Sequence, residues 1–211
     1  EFEMRISGLS YQEINKRGGG ILNSAKLLRE TSEDLLVTKV KSRMDTFLSF
    51  GTTTVECKSG YGLDTGSELK SLMVIDKINK NHEIDMIPTF MGGHDFPIDF
   101  RNDKDAYVDL ICNDMIPKVA RQGIAKFNDV FCERGYFNIE QSKRILETGE
   151  KYGLFSRMHC DEFSCFGASN LAAKLKVNSA DHLMEINKEG IDRLANEKVI
   201  GTLLPGTTFF L

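Results

Sequence analysis

The sequence predicts an α/β protein, a (β/α)8 TIM-like barrel that is incomplete in this chain, with about six βα units. From about residue 32 onward, short β-branched or apolar runs alternate with stretches of helical hydrophobic period. Strands separated by helices imply a parallel sheet, because each helical crossover carries the chain back to the end where the strand began. The glycine fingerprint of a dinucleotide-binding open sheet is missing. Gly18-Gly-Gly20 follows no strand-like run, and Gly60-Tyr-Gly62 lacks the third glycine and its spacing. An open doubly wound sheet remains the alternative; a barrel short of about two strands is preferred.

Each element has a local reason. Ser32 ahead of Glu33 and Asp34 suits a helix start, and Leu36, Val40, Met44 and Phe47 continue the helical period until Gly51. Residues 52–57 (TTTVEC) form the first strand and 58–63 a loop. Thr65 and Glu68 have the spacing of a capping box for a helix whose apolar face is Leu69, Leu72, Met73, Ile75 and Ile78. A strand over 84–91, a helix over 106–121 and a strand over 127–132 follow. Asn138 and Gln141 can cap a helix over 139–152. The remainder reads as strand 154–159, helix 171–175, strand 179–183, helix 191–195 and strand 199–204.

Composition narrows the class. With 211 residues, 41% of them hydrophobic, the chain suits one domain over 1–211. A net charge of −4 and scattered lysines and arginines argue against nucleic acid and anionic membrane as partners. No apolar run approaches the ~20 residues of a membrane span. The five cysteines show neither CxxC nor zinc-finger spacing, so reduced thiols in a cytoplasmic protein are expected. The chain opens at Glu1 without a methionine and closes on Phe209-Phe-Leu211, which reads as a piece of a longer protein.

In parallel α/β folds, sites gather beyond the carboxyl ends of the strands. Lys58 and Tyr61 follow the first strand, His94 the second, Glu133 and Arg134 the third. His159, Asp161 and Glu162 follow the fourth, and His182 ends the fifth. Of four histidines only His82 falls on the opposite, stabilising face. Each residue has an ordinary reading too. His159 could be a packed histidine, Glu162 a helix-start carboxylate, Tyr61 merely exposed, Gly92-Gly93 only a turn. Asp181 could orient His182 or pair elsewhere. The coincidence of two imidazoles and a carboxylate at successive strand ends nevertheless matches a hydrolytic metal site. A catalytic metal wants three protein ligands, and neither HxH nor HExxH occurs in the chain.

The motifs GTTTVECKSGYGLD (51–64), PTFMGGHDFP (88–97), AYVDLICNDMIP (106–117), DVFCERGYF (129–137), HCDEFS (159–164), SADHL (179–183) and LLPGTTFFL (203–211) resemble the imidazolonepropionases in order and spacing. The resemblance includes EFEMRISGLSYQEI and GGGI near the start, so it runs over essentially the whole chain. That family belongs to the metal-dependent amidohydrolases. The resemblance implies a (β/α)8 barrel with one zinc or iron ion, hydrolysing 4-imidazolone-5-propanoate to N-formimidoyl-L-glutamate in histidine degradation. It implies His159 as a metal ligand, Glu162 as substrate contact and proton carrier, and His182 as the group that holds the water. Tyr61 and His94 would bind substrate, while Cys160 and Asp161 would be bystanders. The family's HxH pair, a substrate-binding arginine and the aspartate ligand of the last strand find no counterpart here. They are expected before residue 1 and after Leu211, so this chain alone is expected to bind metal weakly and to be inactive. The partners expected are a small-molecule substrate and, as an open option, a second copy in a homodimer. The alternatives are another amidohydrolase, such as a nucleobase deaminase, and a non-catalytic truncated barrel.

Overall fold

Six parallel strands stand side by side in the order in which the chain makes them. This computed structural model describes residues 2–9, 13, 14, 17 and 20–210. Gly18, Gly19 and Leu211, which figure in the sequence motifs, lie outside the described residues, as do 1, 10–12, 15 and 16. The strands are β1 (Thr54–Lys58), β2 (Asp85–Gly93), β3 (Phe127–Cys132), β4 (Phe155–Cys160), β5 (Ser179–His182) and β6 (Ile200–Thr202). A doubly wound sheet reverses its order at a switch point; this one does not, and it curls as an incomplete barrel.

The helices are α1 (Phe2–Ile6), α2 (Ile21–Glu30), α3 (Glu33–Ser49), α4 (Thr65–Asn79), α5 (Lys104–Leu110), α6 (Ile116–Gln122), α7 (Ile139–Lys151), α8 (Ala168–Leu175), α9 (Lys188–Asn196) and α10 (Pro205–Phe210). Their inner faces meet the sheet in one core that includes Phe90, Tyr107, Met115, Val130, Phe137 and Ile145. Asn138 and Gln141 form both halves of the expected capping box of α7. The single helix expected over 106–121 is instead α5 and α6 joined by a π turn over Ile111–Met115. Pro117 cannot donate to the preceding turn, and a wider turn there accommodates the missing bond.

Two expectations at the strand ends are corrected. The box predicted from Thr65 and Glu68 is not formed. Asp64 caps α4 by accepting from the Ser67 N–H at 2.9 Å, and Thr65 Oγ1 donates to Asp114. Nor are Gly92 and Gly93 only a turn: they end β2. A Cβ on Gly92 would sit 2.5 Å from the Phe90 ring, and one on Gly93 would sit 2.9 Å from Val130 Cγ2. The two glycines let β2 lie against the core just before His94. No helix among the described residues is long and apolar enough to cross a membrane.

Candidate active site

The carboxyl ends of β1 to β5 bring the reactive side chains together. His159 lies near the end of β4, and the sheet register places Phe131 of β3 on one side of it and Asp181 of β5 on the other. Its Nδ1 sits 3.1 Å from Asp129 Oδ1. The other Asp129 oxygen accepts from Lys58 Nζ at 2.6 Å, so the carboxylate is held from both sides. Burial alone would raise the Asp129 carboxyl. The facing His159 and Lys58 instead hold it well below the usual carboxylate range. A carboxylate cannot donate, so His159 donates from Nδ1, and in the neutral ring Nε2 is the acceptor.

Around this pair the inner face of the sheet is a charge lattice. Lys58 Nζ also reaches Glu56 at 2.8 Å and Asp181 at 3.2 Å. Burial opposes its charge, but Asp129, Asp181 and Glu56 together raise its pKa above the usual lysine value. Arg157 lies 3.3 Å from Glu56 and 3.6 Å from Asp181. Two permanent cations thus face three carboxylates, a surplus of negative charge that suits an added cation.

His182 closes the group, with its ring centroid 4.9 Å from that of His159. Glu162 Oε1 is 3.3 Å from His182 Nδ1, yet that buried nitrogen has no hydrogen bond of proper geometry. Burial, and then the neighbouring His159, lower the His182 pKa to about 4. Burial raises the Glu162 carboxyl to about 7. The backbone here is strained as well: Asp161, His182 and Leu183 all take positive φ (47°, 75° and 60°) without being glycine. His94 stands beside Tyr61, ring centroids 5.0 Å apart and edge to face, and 6.1 Å from the His159 ring. Burial, followed by His159, lowers the His94 pKa to about 3. Burial, and then Glu162, raise that of Tyr61.

Other residues singled out by position hold the frame. Glu133 accepts from the backbone N–H groups of Glu162, Phe163 and Ser164, and also from the Ser164 hydroxyl. Glu162 is therefore no helix-start carboxylate; α8 begins only at Ala168. Asp161 has a structural part: its two oxygens collect the N–H groups of Phe166, Gly167, Ala168 and Ser169 at 3.0–3.1 Å at the start of α8. Asp181 pairs with Lys58 and Arg157, which settles its two readings toward the lattice. His82 lies at the far end, bonded to Asp45 and to the Ile84 N–H. Sequence reasoning missed Asp129, Glu56 and Arg157. The signal was present as alternation: Glu56 and Lys58, Asp129 and Phe131, Arg157 and His159, each two apart on a strand and so on one face.

His159 fits a metal ligand. It is buried, a carboxylate orients its ring through Nδ1 as in ligating histidines, and Nε2 makes no hydrogen bond among the described residues. Asp129, His159 and Asp181 each bring one potential ligand atom within 4.8 Å of the others, although Lys58 already shares both carboxylates.

The chain is similar along its full length to curated imidazolonepropionases. It is 47% identical to that of Geobacillus thermodenitrificans over 211 residues, all of this chain and 50% of the relative. The one from Clostridium tetani is also 47% identical, with the same coverage. The chain thus spans about half the length of the curated relatives it matches. No protein-family model matches it. Among solved structures, an adenine deaminase from Arthrobacter aurescens superposes with a TM-score of 0.64 over 89% of this chain and 57% of that one. At 14% identity that likeness concerns the fold.

Proposed function

We propose that this chain, which resembles imidazolonepropionases along its whole length, supplies part of the active site of such a hydrolase. The reaction is opening of the cyclic amide of 4-imidazolone-5-propanoate to N-formimidoyl-L-glutamate, a step of histidine degradation. The observation that carries the reading is the convergence of His159, Glu162 and His182, two imidazoles and a protonatable carboxyl, at adjacent strand ends. The resemblance puts an HxH pair and an aspartate outside residues 1–211, so the reading concerns the full product of the gene. Its five free thiols suit a cytoplasmic setting.

His159 would hold a zinc or iron ion through Nε2, with Asp129 fixing the ring from behind. Such an ion, when bound, lowers the pKa of water toward neutrality and polarises a carbonyl. His182, neutral at physiological pH, can orient the attacking water and accept its proton. Glu162, with its pKa near 7, can hold a proton in the ground state and deliver it to the departing ring nitrogen. Tyr61 and His94 flank the place where the ring would sit.

The test is turnover of 4-imidazolone-5-propanoate by the full gene product and by Glu162→Gln. The variant should lose about 100-fold or more in kcat, the usual scale for a general acid. Near-normal kcat would sink the proton-carrier role. Adenine and other nucleobases in the same assay test the deaminase alternative.

A further inference from the structure

We infer that Glu68 is a positioning residue: it clamps the loop after β1 and thereby sets both the place of Tyr61 and the tautomer of His94. The inference rests on the reading above only in taking Tyr61 and His94 as ligand-facing.

Glu68 has the spacing of a capping residue, but Asp64 caps α4 and the Glu68 side chain reaches past that cap to the loop before it. It is fully buried, and it spends both oxygens on one short loop. Oε2 accepts from the Gly60 N–H at 2.7 Å. Oε1 accepts from the N–H groups of Gly62 at 2.9 Å and Leu63 at 3.0 Å. Three backbone donors converging on one carboxylate make strong, charge-assisted bonds in a dry site. Tyr61 lies between two of the clamped residues, so its backbone has little freedom left.

The same loop reaches His94. The Gly60 carbonyl lies 2.9 Å from His94 Nδ1. A carbonyl oxygen can only accept, so Nδ1 must carry the proton and Nε2 must be the acceptor. Gly60 makes the close approach feasible. Its φ is +82°, and a Cβ there would lie 3.1 Å from His94 Nδ1 and 3.0 Å from the Met91 carbonyl. Glu68 therefore holds Gly60 by its N–H while Gly60 holds His94 by its C=O.

The chemical consequence concerns ligand choice. His94 in this tautomer accepts a hydrogen bond and cannot donate one from Nε2, so it selects a ligand with an N–H or O–H directed at it. Tyr61, whose hydroxyl stays protonated, supplies a donor and an acceptor beside it. The pair suits the edge of a lactam or an imidazolone-like ring, which offers N–H and C=O side by side.

The test uses the full product of the gene, with 15N spectra of the histidine rings and amide hydrogen exchange. In the wild type, His94 should show one tautomer, protonated at Nδ1. The Gly60, Gly62 and Leu63 amides should exchange about 100-fold more slowly than open loop amides. Glu68→Gln sets an NH2 against one or more of those N–H groups. It should speed exchange at that loop and mix the His94 tautomers, while the His82 signals stay in place. Unchanged His94 signals and exchange in Glu68→Gln would overturn the clamp. Should that variant not fold, rapid loop exchange in the wild type alone overturns it. Titration with imidazole-4-propanoate then separates the two readings. Binding to the wild type, weakened about 10-fold in Glu68→Gln, supports both. Failure of the wild type to bind counts against the imidazolone reading, and the clamp is still judged by the spectra.

Discussion

At the scale of single residues, the site is governed by which hydrogen-bond partner each polar group finds. Asp129 shows this most clearly, because it fixes one histidine and one lysine with its two oxygens. Replacing it by asparagine would leave Lys58 short of its closest counter-charge in a buried place. Asp129→Asn should destabilise the chain by about 3 kcal/mol, read from urea unfolding, whereas an exposed ion pair such as Lys188 with Asp192 should contribute at most about 1 kcal/mol. Tyr107 gives a pH prediction away from the site. Its hydroxyl, fully buried, donates to the Gly92 carbonyl at 3.0 Å, and burial raises its pKa well above 10. The folded state keeps this proton while the unfolded chain releases it near pH 10. Stability from this group is thus complete below pH 10 and falls as the pH rises beyond it. Tyr107→Phe should lose about 1 kcal/mol at neutral pH and show a shallower alkaline decline. Parallel declines in the two proteins would rule the linkage out.

At the scale of elements, caps and strand ends decide where side chains sit. The α7 box was legible because both partners lie within one turn of sequence. Asn138→Ala should cost about 1 kcal/mol in the unfolding free energy. The loop clamp of Glu68 and the structural part of Asp161 were not legible, for the opposite reason. Their partners are backbone amides of loops, whose approach depends on how β1 and β4 deliver the chain. Glu133 likewise serves a loop 29 residues further along. The π turn in the α5–α6 run escaped notice because hydrophobic period continues through it unchanged; only Pro117 hinted at the break.

At the scale of the whole molecule, a sheet in simple sequential order leaves β1 and β6 paired on one side only, among the described residues. Apolar groups stand exposed near β6, Ile200 at 66% and Leu203 at 70%. Unpaired strand edges and exposed apolar surface favour association. Sedimentation velocity of residues 1–211 should therefore show mass rising with concentration. A monomer at every concentration, unfolding in one cooperative transition, would contradict this.

What the sequence determined by itself was local and periodic: the βα alternation, the place of each strand to within about two residues at its end, and hence the rim where His94, His159 and His182 had to fall. Those features depend on side-chain spacing along the chain, which no distant contact alters. The tertiary structure alone decided which oxygen meets which nitrogen. Whether Asp129 stands behind His159, and whether Glu68 caps a helix or holds a loop, depends on strand register and sheet curvature. Burial then turns those few ångströms into protonation states, so the chemistry of the rim emerges only once the strands lie side by side.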